Sequence, residues 1–321
     1  MERLVLIDGN AILHRAYHAM PGFTTSKGEP VGAIYGFTAM LLRVIADLKP
    51  TYIAVTFDRP KPTFRQELYA GYQQGRPGMV DDLAAQVEGV HTVVAALEIP
   101  IFEVDGYEAD DCIGTLAVQA VKKNVDVVIV SGDRDLLQLV NGHIKVYMPI
   151  KGLSEAKMYG SSEVKEKYGL EPHQVVDMKA LMGDASDQYP GVRGIGPKTA
   201  SLLLQKYHTL ENLYEHLGEL PQRVGKALAE GTESAGLAKK LATIVTDVPI
   251  HLKLIDCKFE IKDKDKDKAI TTLESFEFRT LPNRLRELLG EKPVEVVATS
   301  KSSLKVVAKK KVEDENQLRL V

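Results

Sequence analysis

Leu4-Val5-Leu6-Ile7 runs straight into Asp8, and the same design returns twice. Ile53-Ala54-Val55-Thr56-Phe57 leads into Asp58, and Val127-Val128-Ile129-Val130 leads through Ser131-Gly132 into Asp133, with Asp135 two residues on. Short β-branched runs with no polar alternation are buried on both faces and read as parallel strands. Parallel strands of one sheet point the same way, so their carboxyl ends share an edge, and at that edge open α/β sheets bind ligands. Three carboxylates there point to a divalent-metal site. Each alone has a plainer reading, since Asp8-Gly9 and Gly132-Asp133 are turn pairs and Asp follows strands for backbone reasons. Their convergence carries the argument.

Working outward, Ala33 to Leu48 carries Ile34, Phe37, Met40, Leu41, Val44 and Ile45 at helical spacing. Asp81 to Leu97 reads as a helix, Ile101 to Val104 as a short strand, and Gly106 to Lys123 as a helix opening with Glu108, Asp110 and Asp111. This βαβα alternation predicts an α/β fold with a mostly parallel sheet. Arg59 to Gly78 interrupts it with Pro60, Pro62, Gly71, Gly75, Pro77 and Gly78 among Lys61, Arg65, Tyr69, Tyr72 and Arg76, a partly helical excursion carrying basic and aromatic groups. From about 160 to 245 the pattern turns helical, at 162–168, 173–183, 197–207, 209–217 and 235–245. Lys262 to Lys268 alternates Lys and Asp and reads as a solvated surface, Ile270 to Leu289 as a last helical element, and 291–321 as a linker or disordered tail.

A length of 321 residues accommodates one large or two smaller domains. The expected division is a first region at 1–160 with its excursion at about 59–78, and a helical region at 161–290. No run approaches the ~20 apolar residues of a membrane span. The first strand begins almost at once, so no signal peptide is expected. Cys112 and Cys257 suggest no disulfide framework, and a cytoplasmic monomer is expected. The net charge of −3 does not advertise nucleic-acid binding, yet with nine of the 44 acids set aside in a metal site the 41 bases outnumber the remaining 35.

Further acids fall where such a site needs them. Glu108, Asp110 and Asp111 open a helix, where the dipole alone would favour one or two of them. Gly183-Asp184-Ala185-Ser186-Asp187 closes another, where a capping turn is the plainer account. Two carboxylates ~4 Å apart repel by about 4 kcal/mol at an effective dielectric near 20, so a cleft holding nine needs cations. All-oxygen, histidine-poor ligation suits Mg²⁺ or Mn²⁺, and a cluster this rich has room for two or more ions, the arrangement used to cleave phosphodiesters. Gly191-Val192-Arg193-Gly194-Ile195-Gly196-Pro197-Lys198-Thr199-Ala200 matches a helix–hairpin–helix, expected at about 174–207. Its glycines let backbone approach a DNA phosphate, which N–H groups at the next helix's start then cradle without reading sequence.

Taken in order, these motifs resemble the 5′-nuclease (flap endonuclease) family, in particular the N-terminal 5′→3′ exonuclease domains of bacterial DNA polymerase I. The residues that carry the resemblance are Leu6-Ile7-Asp8-Gly9-Asn10, Arg15-Ala16-Tyr17-His18-Ala19, Gly28-Glu29-Pro30, Tyr35-Gly36, Phe57-Asp58, Phe64-Arg65, Gly106-Tyr107-Glu108-Ala109-Asp110-Asp111, Gly132 to Leu139 and Leu181 through Ala200. The resemblance implies a PIN-like nuclease fold with a helical arch. It implies divalent ions held by Asp8, Asp58, Glu108, Asp110, Asp111, Asp133, Asp135, Asp184 and Asp187, and a K⁺ ion at the hairpin as a further candidate. It implies structure-specific 5′→3′ exonuclease and flap endonuclease activity on DNA flaps, nicks and single-strand/duplex junctions, by water activated at the metals, for primer removal and repair; RNA primer ends are a further partner.

In that reading Arg76 and Arg65 orient and neutralise the phosphate and Tyr72 stacks a displaced base. Arg15, Lys61, Gly191, Gly194, Gly196, Lys198 and Thr199 hold the DNA backbone. The chain departs from the family pattern at Gln73, where an arch lysine is usual, and at Gln188, where an asparagine is usual. Gln73 brings no positive charge, which raises the alternative of a junction-binding protein with weakened catalysis. A PIN-type ribonuclease shares the strand-end acids, but its reading leaves the arch and the hairpin unexplained.

Overall fold

The computed structural model describes residues 2–293 apart from residues 77 and 152–154. The expected tail at 291–321 therefore lies, from 294 on, outside the described residues. Strands β1 (Arg3–Asp8), β2 (Tyr52–Thr56), β3 (Ile101–Phe102), β4 (Asp126–Val130), β5 (Ile144–Lys151) and β6 (Glu155–Tyr159) form one sheet in the order β3-β2-β1-β4-β5-β6. Every pairing is parallel except β5 with β6, an antiparallel edge. The mostly parallel sheet expected from the apolar runs is present. Its order reverses between β1 and β4, so the carboxyl ends of these two strands open onto the crevice that such a switch point creates.

The continuous apolar run of β1 serves two layers. Val5 and Ile7 pack with α1 (Gly9–Ala19), α2 (Gly32–Leu48) and α4 (Asp81–Ala96), while Leu4 and Leu6 pack with Ile113, Leu116, Ala117 and Ala120 of α5 (Ala109–Val121). Burying such a side chain stabilises by about 1.5–3 kcal/mol, which fixes the strand ends against both helical layers. Between β2 and α4 the chain makes the expected excursion, the arch, with the short helix α3 (Phe64–Leu68) and successive turns at 70–75 that include Gly71 and Gly75.

After β6 the chain is helical: α6 (Ser161–Tyr168), α7 (Gln174–Met182), α8 (Pro197–Tyr207), α9 (Leu210–Glu215), α10 (Gln222–Glu230) and α11 (Thr232–Ala242). Leu181, Val192, Ile195, Ala200, Leu203 and Leu204 share a separate core that holds α7 and α8 on either side of the hairpin. Helices α12 (Asp263–Ser275) and α13 (Leu281–Leu288) return to the first core through Ile270, Leu273, Leu281 and Leu285.

Some elements differ from the sequence expectation. Asp8-Gly9 is no simple turn: Asp8 Oδ1 accepts the Ala11 N–H at 2.9 Å and caps α1, a helix that the sequence reading left out. The Lys/Asp alternation at 262–268 enters α12, and the single element expected at 270–289 is two helices parted by Glu277 at φ +62°. Strands β5 and β6 and helix α10 were also not anticipated.

Candidate functional site

The edge residues are brought to one place by register. Asp8 stands level with Thr56, and Ile7 with Val130, so Asp8, Asp58 and Asp133 emerge around the same end of the sheet. Ser131 Oγ donates to Asp8 Oδ2 at 2.6 Å and accepts from the Asp133 N–H at 2.9 Å, tying two of the three strand ends together. Asp58 Oδ1 accepts the Ala109 N–H at 2.7 Å, which draws the start of α5, and with it Glu108 and Asp110, to the same edge. On the far side, Asp135, Asp184 and Asp187 offer carboxylate oxygens that all lie within 4.8 Å of one another.

The electrostatics join these groups into one set. Desolvation in the cleft pushes Asp8 up to about 7, against hydrogen bonds from Ala11 and Ser131, with Asp58 and Asp133 adding repulsion. Desolvation, then Asp133, Asp8, Asp58 and Glu108, drive Asp110 well above the carboxylate range. Glu108 rises to about 7 through desolvation despite Arg65, with Asp111, Asp58 and Asp187 repelling it. Asp135 also rises to about 7, through desolvation and Asp133, although Lys179 pulls it down. Desolvation lifts Asp58 and Asp187 as well. Asp184 is the exception: its desolvation is outweighed by Lys179 and Ser186, which hold it below the ordinary value. A cluster of acids driven towards protonation in the bare protein is a cluster arranged for positive charge.

Lys179, on α7, ion-pairs with both Asp135 and Asp184. Local sequence marks this lysine only by its place four residues before Gly183-Asp184, on the helix that delivers the turn, and no motif includes it.

Two expected phosphate and base contacts are placed otherwise. Arg65 is buried, and its Nη1 and Nη2 form a fork on Asp111 at 2.7 and 2.8 Å. Its Nε donates to Leu241 O at 2.8 Å, Nη2 to Thr243 O at 3.0 Å, and Nη1 lies 3.3 Å from Glu108. Four of the five guanidinium donors are thus hydrogen-bonded, with Glu108 as a second counter-charge. Asp111, fully buried, also accepts the Val245 N–H at 2.8 Å and the Glu108 N–H at 3.1 Å. Arg65 and Asp111 thus pin the arch and α5 to the last turn of α11 and the chain that follows it. Tyr72 is buried against Tyr189, with ring centroids 6.3 Å apart, and its hydroxyl donates to Glu108 at 3.2 Å.

Other expected residues remain at the surface. Arg76 is exposed and close enough to Asp58 and Asp187 to oppose the rise that desolvation causes in both. Lys61 pairs with Asp105 at 2.6 Å, and Arg15 is half-buried on α1. Gln73 Nε2 donates to Asp187 Oδ1 at 2.7 Å. In the hairpin, Gly183 (φ +73°) and Gly191 cross so closely that a Cβ on either would strike the other's backbone nitrogen. Gly194 takes φ +87°, Gly196 precedes α8 as its N-cap and Pro197 opens that helix. Lys198 is exposed and Thr199 half-buried at its first turn.

Residues 3–169 match the family described as 5′-3′ exonuclease, N-terminal resolvase-like domain, and residues 170–265 its C-terminal SAM fold. The chain belongs to the 5′-3′ exonuclease family. Among its relatives, DNA polymerase I of Chloroflexus aurantiacus is 42% identical over 290 residues, covering 89% of this chain and 30% of the relative. DNA polymerase I of Bacillus caldotenax is 42% identical over 270 residues, covering 84% of this chain and 31% of the relative. This exonuclease-family chain therefore spans under a third of the length of those relatives.

Solved structures share the fold. The bacteriophage T5 D15 flap endonuclease, in a pseudo-enzyme-product complex with DNA and metal ions, superposes with a TM-score of 0.63 at 18% identity, covering 90% of this chain and all (100%) of that one. The catalytic core of Rad2 in complex with DNA substrate gives 0.55 at 15% identity, covering 90% and 92%.

Proposed function

We propose that this member of the 5′-3′ exonuclease family is a structure-specific, metal-dependent 5′ nuclease that hydrolyses DNA phosphodiester bonds beside 5′ flaps and nicks, with RNA primer ends among its substrates. The observation that carries the reading is the single carboxylate set at the sheet's switch point, flanked on one side by the arch and on the other by the hairpin.

The donor set fits hard divalent cations. It is all oxygen, strongly anionic and desolvated, which suits Mg²⁺ or Mn²⁺. Asp135, Asp184 and Asp187 would hold one ion, and Asp8, Asp110 and Asp133 with Asp58 and Glu108 another. Ions bound there would supply an activated water and stabilisation of the leaving oxygen. The chain's own residues do the rest. Arg76 faces the carboxylates from the arch and supplies positive charge to a phosphate brought against them. Lys179 neutralises Asp135 and Asp184 and holds their orientation. Gly194 and Gly196 leave the hairpin backbone open to a duplex phosphate, with Lys198 and Thr199 at the start of α8, and a K⁺ ion there is part of the same proposal. Asp111 with Arg65 acts as the buried clamp beneath the site, and Tyr72 as the anchor of the arch.

The test is incision of an end-labelled 5′-flap substrate by the chain with Mg²⁺ and with EDTA. Cuts near the junction that require Mg²⁺ are expected. Tight flap binding with no incision at high enzyme would overturn the nuclease reading and leave a junction-binding protein.

A further inference from the structure

We propose that Gln73 and Gln188 are positioning residues: together they latch the base of the arch to the Asp184–Gln188 turn and thereby fix the carboxylate of Asp187. The two side chains reach across one gap in opposite directions. Gln73 Nε2 donates to Asp187 Oδ1 at 2.7 Å, and Gln188 Oε1 accepts the Gly75 N–H at 2.7 Å. A backbone bond from Gln73 N to Asp187 O at 2.9 Å lies between them, and Tyr72 stacks on Tyr189 at one end. Four successive contacts thus zip residues 72–75 to residues 187–189.

Backbone conformation supports the latch independently. Gln73 and Gln188 both stand in the left-handed region, at φ +52° and +60°. Each such residue without glycine costs roughly 1–2 kcal/mol, and it persists where surrounding contacts over-determine it. In both cases that conformation belongs to the residue whose amide crosses the gap. Gly75 completes the fit, because a Cβ there would stand 2.6 Å from Gln188 Nε2.

The consequence concerns Asp187. The bond from Gln73 fixes the orientation of the same carboxylate that forms the trio with Asp135 and Asp184. Gln73 thereby acts through an acid rather than on a phosphate, and Gln188 acts through Gln73 by seating the arch. The proposal rests on the nuclease reading only where it treats Asp187 as a metal ligand.

Hydrogen exchange of the intact chain reads the latch without any cleavage. Slow exchange of the amides of Gln73 and Gly75 is expected in the wild type. Gln188→Met, similar in length but without an acceptor of comparable strength, should speed exchange at Gly75 at least about tenfold, whereas Gln188→Glu, which keeps the acceptor, should retain protection. Titration calorimetry with Mg²⁺ alone should then show about tenfold weaker binding in Gln73→Met at an unchanged melting temperature, the size expected when a ligand's orienting partner is lost. Unchanged exchange in Gln188→Met, or unchanged Mg²⁺ affinity in Gln73→Met, would overturn the proposal. A chain that cuts no flap DNA but shows these shifts would overturn the nuclease reading alone.

Discussion

Asp110 sets stability against chemistry more sharply than any other residue of the site. Burial strips it of water, Asp133, Asp8, Asp58 and Glu108 crowd it, and it is driven well above the carboxylate range, so in the metal-free protein its charge works against the fold. Neutralising it as Asp110→Asn should raise the melting temperature in EDTA by a few degrees, measured by calorimetry, while removing a ligand from the centre. The cluster as a whole gives a pH dependence of defined sign. Asp8 rises from 3.8 to about 7 and Glu108 from 4.5 to about 7 on folding, so the folded state holds protons that the unfolded chain has released. Their contribution to stability is full below about pH 4 and is lost as the pH climbs through about 7. The urea midpoint in EDTA should fall across that window, and Mg²⁺ should raise it more at pH 8 than at pH 5. Arg65 shows the opposite logic. Its fork on Asp111 is buried, and Arg65→Met, which strands that carboxylate, should cost about 3–5 kcal/mol in chemical denaturation. An Asp111→Asn change in the same chain should recover part of the loss.

At the level of elements, the hairpin separates two uses of glycine. Gly183 combines φ +73° with a backbone crossing against Gly191, so Gly183→Ala should destabilise the α7–α8 unit by about 2 kcal/mol or more in urea titration. Gly194 is also left-handed, at φ +87°, but nothing stands within 4 Å of its absent Cβ. Gly194→Ala should therefore cost only about 1–2 kcal/mol of backbone strain and act mainly on duplex affinity. Lys198→Ala, at the exposed start of α8, should weaken flap binding for all sequences alike and reduce the salt slope by about one ion, measured by fluorescence anisotropy. Strands β1, β2 and β4 could be read from sequence because burial on both faces leaves unbroken apolar runs. Helix α1 could not, because Asp8-Gly9 satisfies turn chemistry as well as capping. The arch contacts were hidden for another reason: Arg65–Asp111 and Gln73–Asp187 join residues 46 and 114 positions apart, and no local pattern encodes such pairs.

Across the whole molecule, β1 and its neighbouring strands, α5 behind them and the α7–α8 unit beside them deliver acids from five segments to one crevice. The motif order was enough to anticipate that convergence, since each acid follows an element whose direction the fold fixes. It did not separate the acids that face the crevice from Asp111, which the fold uses as a buried counter-charge for Arg65. Nor did it reveal Lys179, whose partners lie on two other segments. Among the described residues no helix is long and apolar enough to cross a membrane. The formal net charge of −3 is no bar to the proposed DNA partner: nine of the 44 acids belong to the site motifs, and the bases Arg76 and Lys198 are exposed on the arch and at the start of α8. The most direct test of this account is the single-turnover rate at which Asp110→Asn cleaves a 5′-flap substrate in Mg²⁺, compared with the wild type. The crevice, as the metal-dependent nuclease centre, predicts a loss of at least about 10²-fold with flap affinity and fold retained. Cleavage by the variant at the wild-type rate would contradict it.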